Sequence, residues 1–224
     1  MTLATSFRGY RLAEWTLGRF LMDSESFPLE GICSEIHAAL ASSVPYLAAA
    51  AALAMPDICS SLEWDPDPHK ITAQRRTQPE SYKRWFRDYL AKNYRNFTDD
   101  DCYRLRCGLL HNGKLGRPQD QYDKVAFTVQ RGPVEQLYKG NVINGVDTGT
   151  LLVLDLGKFC NLAIDAAREW HEKKKGDPFV KQNATTLVRL SPNGVPPFFA
   201  GVPALVGDTR AITDFGGFVM VQIG

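Results

Sequence analysis

Near Gly113 the hydrophobic period of this chain changes from that of a helix to that of a strand, and this switch limits the folds open to it. On the N-terminal side, residues 82–97 form a strongly amphipathic pattern. Trp85, Phe86, Tyr89, Leu90 and Phe97 give one apolar face, and Lys83, Arg84, Arg87, Lys92 and Arg95 fill the remainder. Thr98 then offers a side-chain cap for orphan amides, and Asp99, Asp100 and Asp101 suit the positive end of a helix dipole. A helix is therefore expected over about 99–111, closed by Asn112-Gly113, where glycine supplies a left-handed residue. On the C-terminal side, Val125, Phe127 and Val129 alternate with polar neighbours, and 141–154 reads as a turn-rich β region with its clearest turn at Asn144-Gly145. A further helix is expected from Asp155 to Lys175, with Leu156, Phe159, Ala163, Ala167 and Trp170 along one stripe and Gly176-Asp177-Pro178 as its stop.

The N-terminal part extends the helical pattern. Residues 8–22 have helical spacing, and Phe27-Pro28 interrupts them. A long helical region is expected from about Leu29 to Met55, kinked near Pro45, with Pro56-Asp57 restarting a short turn or helix. Residues 65–79 read as a polar, proline-containing connection, and the last 45 residues hold Pro192, Pro196, Pro197 and Pro203 among many glycines, with a strand near Thr185–Leu190. The fold class is thus mainly α: a helical bundle with a small β-hairpin insertion before its last helix and an irregular C-terminal tail. The bundle domain spans 1–178 with the insertion at about 123–154. Residues 179–224 form a Gly/Pro-rich extension packed on the bundle or on a partner.

Bulk properties narrow the setting. The net charge of +1 means that attraction for nucleic acid must come from local clustering, not a global field. Five cysteines, at 33, 59, 102, 107 and 160, are odd in number and lack framework spacing, which points to free thiols in a reducing, cytoplasmic setting. Arg8 and Arg11 near the start are not followed by the apolar core of a signal peptide. Ala38 to Met55 is uncharged, but its alanines, serines and Pro45 fit a buried core helix better than a membrane span.

Chemistry concentrates in the segment Cys102-Tyr-Arg-Leu-Arg-Cys-Gly-Leu-Leu-His-Asn-Gly113, which holds Arg104, Arg106 and one of only four histidines, His111. An arginine supplies a fixed cation, and an imidazole exchanges a proton near neutral pH; together they suit work on a phosphodiester. At about 100° per residue, Arg104 and His111 lie within about 20° of each other, whereas Arg106 sits about 140° away. On that geometry Arg106 and His111 share one phosphate only through a distorted last turn or a second subunit. The competing reading is structural: solvated arginines, and a histidine complementing the C-terminal dipole, satisfied by carboxylates such as Asp100 or Asp101.

Other constellations are weaker. Cys102, Cys107 and His111 lack zinc spacing and a fourth ligand, so no metal and no other cofactor is expected. Cys107 and His111 stand at i, i+4, yet no third group marks a nucleophilic site. Lys70, Arg75, Arg76, Lys83, Arg84, Arg87, Lys92 and Arg95, interleaved with Tyr82, Trp85 and Tyr94, form a basic stretch able to track an RNA backbone. Within it, and after the motif, Lys83, Arg84, Arg87 and Lys114 are the candidate RNA contacts. The alternative is the solvated face of an amphipathic helix.

The segments ALAMPDICSSLEW (52–64) and DDDCYRLRCGLLHNGKL (99–115) resemble uncharacterised bacterial members of the HEPN (higher eukaryote and prokaryote nucleotide-binding) domains, over about residues 30–175. Those domains are small helical bundles with an R-x4–6-H signature; many are metal-independent endoribonucleases of toxin–antitoxin or anti-phage systems, and others only bind nucleotides or RNA. The resemblance implies Arg106 and His111 as catalytic residues, with Arg104 as the alternative arginine. It also implies a homodimer lining one cleft, RNA as substrate or ligand, and an antitoxin or other protein as a further partner. Two positions depart from the pattern: Cys107 stands where active members carry a polar residue after the arginine, and Gly113 stands where a nucleotidylated subtype carries tyrosine. The alternative function is a non-catalytic interaction or nucleotide-binding module on the same helical fold.

Overall fold

The computed structural model describes residues 27–115, 122–129, 132–140, 142–143, 145–195 and 199–207. The helix expected over 8–22, Asn144, Pro196 and Pro197 lie outside them.

The chain is mainly α in its described residues. Helices α1 (Glu30–Ala41) and α2 (Pro45–Leu62) take the place of one kinked helix. The break is complete because Ser43 adopts a left-handed conformation at φ 55°, and Pro45 then serves as a first-turn residue of a new helix. Pro56 does not restart anything: α2 runs through it. Its ring lacks the N–H that would reach the carbonyl of Ala52. One residue further along, the carbonyl of Leu53 accepts the buried Tyr82 hydroxyl at 2.9 Å, so α2 is braced at its weakest point.

Two helical pieces follow where a connection was expected. Asp67 caps α3 (Pro68–Arg76) by accepting from the His69 amide at 2.9 Å, and Pro79 lies in the first turn of α4 (Gln78–Trp85). The single amphipathic helix expected over 82–97 is corrected too. After α4 the backbone widens into a π-helical turn, Phe86–Leu90, tightens to a 3₁₀ turn, Ala91–Asn93, and is extended at Tyr94. The change of pitch lets Phe86, Tyr94 and Phe97 pack as one aromatic group, with ring centroids 5.3–6.1 Å apart. Helix α5 (Asp99–Asn112) then opens on a full capping box between Thr98 and Asp101 and closes on Gly113 at φ 61°.

The β region is a sheet, not an inserted hairpin. Strand β1 (Lys124–Thr128) pairs in parallel with β5 (Leu151–Asp155), and β2 (Glu135–Tyr138) pairs antiparallel on the other side of β5. Between β2 and β5 the two-residue strands β3 (Val142–Ile143) and β4 (Val146–Asp147) pair antiparallel. Burial decides the order: Leu152 and Leu154 of β5 are fully buried, so β5 takes the centre. Glu135 fastens this sheet to the helices, because its carboxylate accepts the amides of Arg95, Asn96 and Phe97 at 2.8–3.2 Å. Asp155 ends β5 and caps α6 (Leu156–Lys174), accepting from the Lys158 amide at 2.8 Å.

Helix α6 packs on α2 and carries the stripe expected of it, with Phe159 meeting Phe97 and Phe127 at centroid distances of 6.2 and 5.4 Å. It is not the last helix. Asp177 caps a short α7 (Pro178–Ala184), and Asn183 ties it to the end of α2 through the carbonyls of Leu62 and Trp64. The described part of the C-terminal extension is also more regular than expected. Strand β6 (Arg189–Ser191) pairs with β9 (Ala204–Val206), and β7 (Gly194–Val195) with β8 (Phe199–Ala200). The strand expected from Thr185 begins only at Arg189, since Thr185 and Thr186 form a turn at the end of α7. No helix among the described residues is long and apolar enough to cross a membrane.

Candidate functional site

The site grows from three helices held in fixed relation. Tyr82 of α4 donates to α2 through Leu53 and lies 3.1 Å from the Cys102 Sγ of α5, while Tyr46 at the start of α2 donates to the Leu109 carbonyl of α5 at 3.0 Å. Helix α5 is therefore pinned to α2 near both of its ends. This places Arg106 opposite Asp57, which Pro56 precedes on α2.

Arg106 and Asp57 form an ion pair through Nε, with side chains only 16% and 11% exposed. The second carboxylate oxygen of Asp57 accepts from Gln78 Nε2 at 3.0 Å. Burial alone pulls the Arg106 guanidinium downward, but the charge of Asp57 and its hydrogen bond outweigh this and raise it above its ordinary value. The Arg106 guanidinium is thus charged at neutral pH.

With Nε fixed, Nη1 of Arg106 lies 3.0 Å from Nε2 of His111. A guanidinium has only donors, so Nε2 accepts, and the imidazole in this arrangement is neutral with its proton on Nδ1. The two side chains come within hydrogen-bond distance without the distorted last turn or second subunit expected for their sharing one phosphate. The last turn of α5 is helical, and its closing bonds from Gly113 to Leu109 and from Lys114 to Gly108 are intact. Side chains as long as arginine are not radial spokes; Arg106, drawn sideways by Asp57, reaches across the surface. His111 itself is exposed.

Arg104, the alternative arginine, points to solvent and pairs with no described residue. Asp100 and Asp101 are not the carboxylates that meet the motif. Asp100 pairs with Lys83, and Asp101 is spent on the cap at Thr98. The proposed RNA contacts divide in the same way. Lys83 is bound by Asp100 and Arg87 by Asp99, both acids of the first turn of α5, while Lys92 pairs with Glu169 of α6. Arg84 and Lys114 remain exposed. Much of the basic stretch is therefore matched by acids of its own chain.

Asp57 was absent from the expected site. Its signal lay in the sequence: it is the single charged residue between Ala38 and Leu62, on a helix otherwise apolar or small. Beside it is a cleft of 280 Å³ lined by Asp57, Ile58, Ser61, Trp64, Arg75 and Gln78. Cys107 follows Arg106, with Sγ 3.9 Å from Nη1, and is partly exposed, whereas Cys102 is buried against Tyr82. No cluster of three metal-ligating side chains occurs among the described residues. No protein-family model matches this chain, and no curated protein or solved structure does either.

Proposed function

We propose that this chain is a HEPN-type helical protein that cleaves or binds RNA without a metal, at a site built from Arg106 and His111. The observation that carries the reading is the 3.0 Å contact between Arg106 Nη1 and an exposed His111 Nε2, with Asp57 holding the arginine from behind. A neutral imidazole beside a fixed cation is what transesterification of RNA needs. When a substrate phosphate takes up the Arg106 donor, Nε2 of His111 is freed to take the proton of a ribose 2′-hydroxyl, the 2′-oxygen attacks phosphorus, and the bond to the 5′-oxygen breaks. The leaving 5′-oxygen takes up a proton from water, and Arg106 balances the charge that grows on the phosphoryl oxygens. The products are a 2′,3′-cyclic phosphate and a 5′-hydroxyl, and DNA is spared because it lacks the nucleophile. A toxin or anti-phage role, a homodimer and a protein antitoxin follow from the same resemblance and belong to the proposal.

One observation favours a second reading, a non-catalytic interaction or nucleotide-binding module. Arg106 already has a carboxylate partner, and Lys83 and Arg87 are engaged within the chain. The two readings part on one experiment: incubation of mixed RNA and matched single-stranded DNA with the protein in EDTA. Cleavage of RNA alone supports the nuclease. Retention of RNA without cleavage supports a binding protein, and neither cleavage nor retention contradicts the RNA reading.

A further inference from the structure

Asp57 faces two ways. One carboxylate oxygen holds Arg106, and through it His111; the other accepts from Gln78 on the wall of the 280 Å³ cleft. The remaining lining joins an aromatic ring, Trp64, to a guanidinium, Arg75, which makes no ion pair among the described residues. Ser61 donates its hydroxyl to the Ile58 carbonyl at 2.9 Å, and Gln78 donates its amide to Asp57. Each keeps an oxygen able to accept, the Ser61 hydroxyl and the Gln78 amide carbonyl, on a residue that lines the cleft. The combination is a flat apolar ring, a nearby cation and several acceptors, in a space fit for one planar heterocycle.

We infer that this cleft is a nucleobase subsite of the Arg106–His111 site, receiving one base of a single-stranded RNA. The base stacks on Trp64, its exocyclic or ring N–H groups face the acceptors of Asp57, Gln78 and Ser61, and Arg75 meets a flanking phosphate. Asp57 is the shared wall, so occupancy of the cleft sets which nucleotide of the strand lies at Arg106 and His111. Bases rich in N–H donors on their pairing edge, guanine above all, fit this acceptor-lined wall best. The inference rests on the RNA reading above and adds to it a binding register.

The test is fluorescence-anisotropy binding in EDTA, with 2′-deoxy-substituted strands that cannot be cleaved. A labelled G-containing pentamer and the same pentamer with that base removed are titrated with wild type, Trp64→Leu, Arg75→Gln and the cleft-filling Ser61→Phe. Thermal unfolding of each variant checks its fold. The expected result is that Trp64→Leu and Ser61→Phe weaken the intact strand by about tenfold to a hundredfold, the worth of one base–aromatic stack. The abasic strand should bind these variants and wild type alike. Wild-type binding that is unchanged in all three variants would overturn the subsite while leaving the RNA reading intact. A wild type that neither binds these strands nor cleaves an RNA pool would overturn both.

Discussion

Asp57 and Arg106 stand 49 residues apart in sequence, yet their ion pair sets the direction in which the guanidinium meets His111. Because both partners are largely withdrawn from solvent, removing one leaves a charge with little hydration. Asp57→Asn is expected to cost about 1.5–3 kcal/mol, the range for a hydrogen bond to a charged group. Gln78→Ala, which removes a neutral donor, should cost about 1 kcal/mol or less. Urea unfolding of the two variants checks the order; equal losses would contradict it.

His111 owes its place to both ends of α5. Thr98→Ala removes the cap that also engages Asp101 and should destabilise the protein by about 1 kcal/mol. Gly113→Ala meets no neighbouring atom, so its cost, also about 1 kcal/mol, comes from φ 61° alone. Denaturant midpoints of the two single variants and the double should be additive, since the sites lie a helix apart.

A second histidine is expected to contribute to the pH dependence of stability. His171 is buried beside Phe27, with ring centroids 5.4 Å apart, and burial holds its imidazole below the ordinary value of 6.5. The unfolded chain therefore takes the proton first as pH falls. Stability is constant in this respect above about pH 6.5 and is lost as pH drops from there through the folded value. His171→Phe should remove that slope. Urea unfolding at pH 7.5 and 5.0 measures it, and an equal pH difference in wild type and variant would contradict the assignment.

Thiol reactivity should be confined to one position. Cys33, Cys59, Cys102 and Cys160 are buried, and burial pushes their thiols up, Cys33 to about 11 and Cys102 and Cys160 to about 12. Cys107 alone among the five is partly exposed. Titration of the native protein with a thiol-reactive chromophore should give one fast equivalent, absent in Cys107→Ser. Two or more fast equivalents would contradict the packing of α1, α2, α5 and α6.

Local signals carried the legible part of the fold. Thr98, the acids after it and Gly113 marked α5 to within a residue or two, and the stripe from Leu156 to Trp170 marked α6. What stayed hidden depends on tertiary contacts. Pro56 reads as a helix start, yet α2 passes through it while Tyr82 braces the neighbouring carbonyl. The π turn at Phe86–Leu90 follows from aromatic packing with Tyr94 and Phe97, which no periodicity encodes. At the site, Arg106 and His111 were visible as residue types, but Asp57 was not, because a partner 49 residues away leaves no local spacing.

Arg106 and His111 are proposed to act as one reactive pair on RNA. The most direct test is the end chemistry of a labelled RNA pool incubated in EDTA with wild type, Arg106→Ala and His111→Ala. Fragments with 2′,3′-cyclic phosphate and 5′-hydroxyl ends are expected from wild type, with a loss of about 10²–10⁴ in rate in His111→Ala. Arg106→Ala should be impaired as well. Equal cleavage by all three proteins, or no cleavage by folded wild type at high concentration, would contradict the catalytic claim.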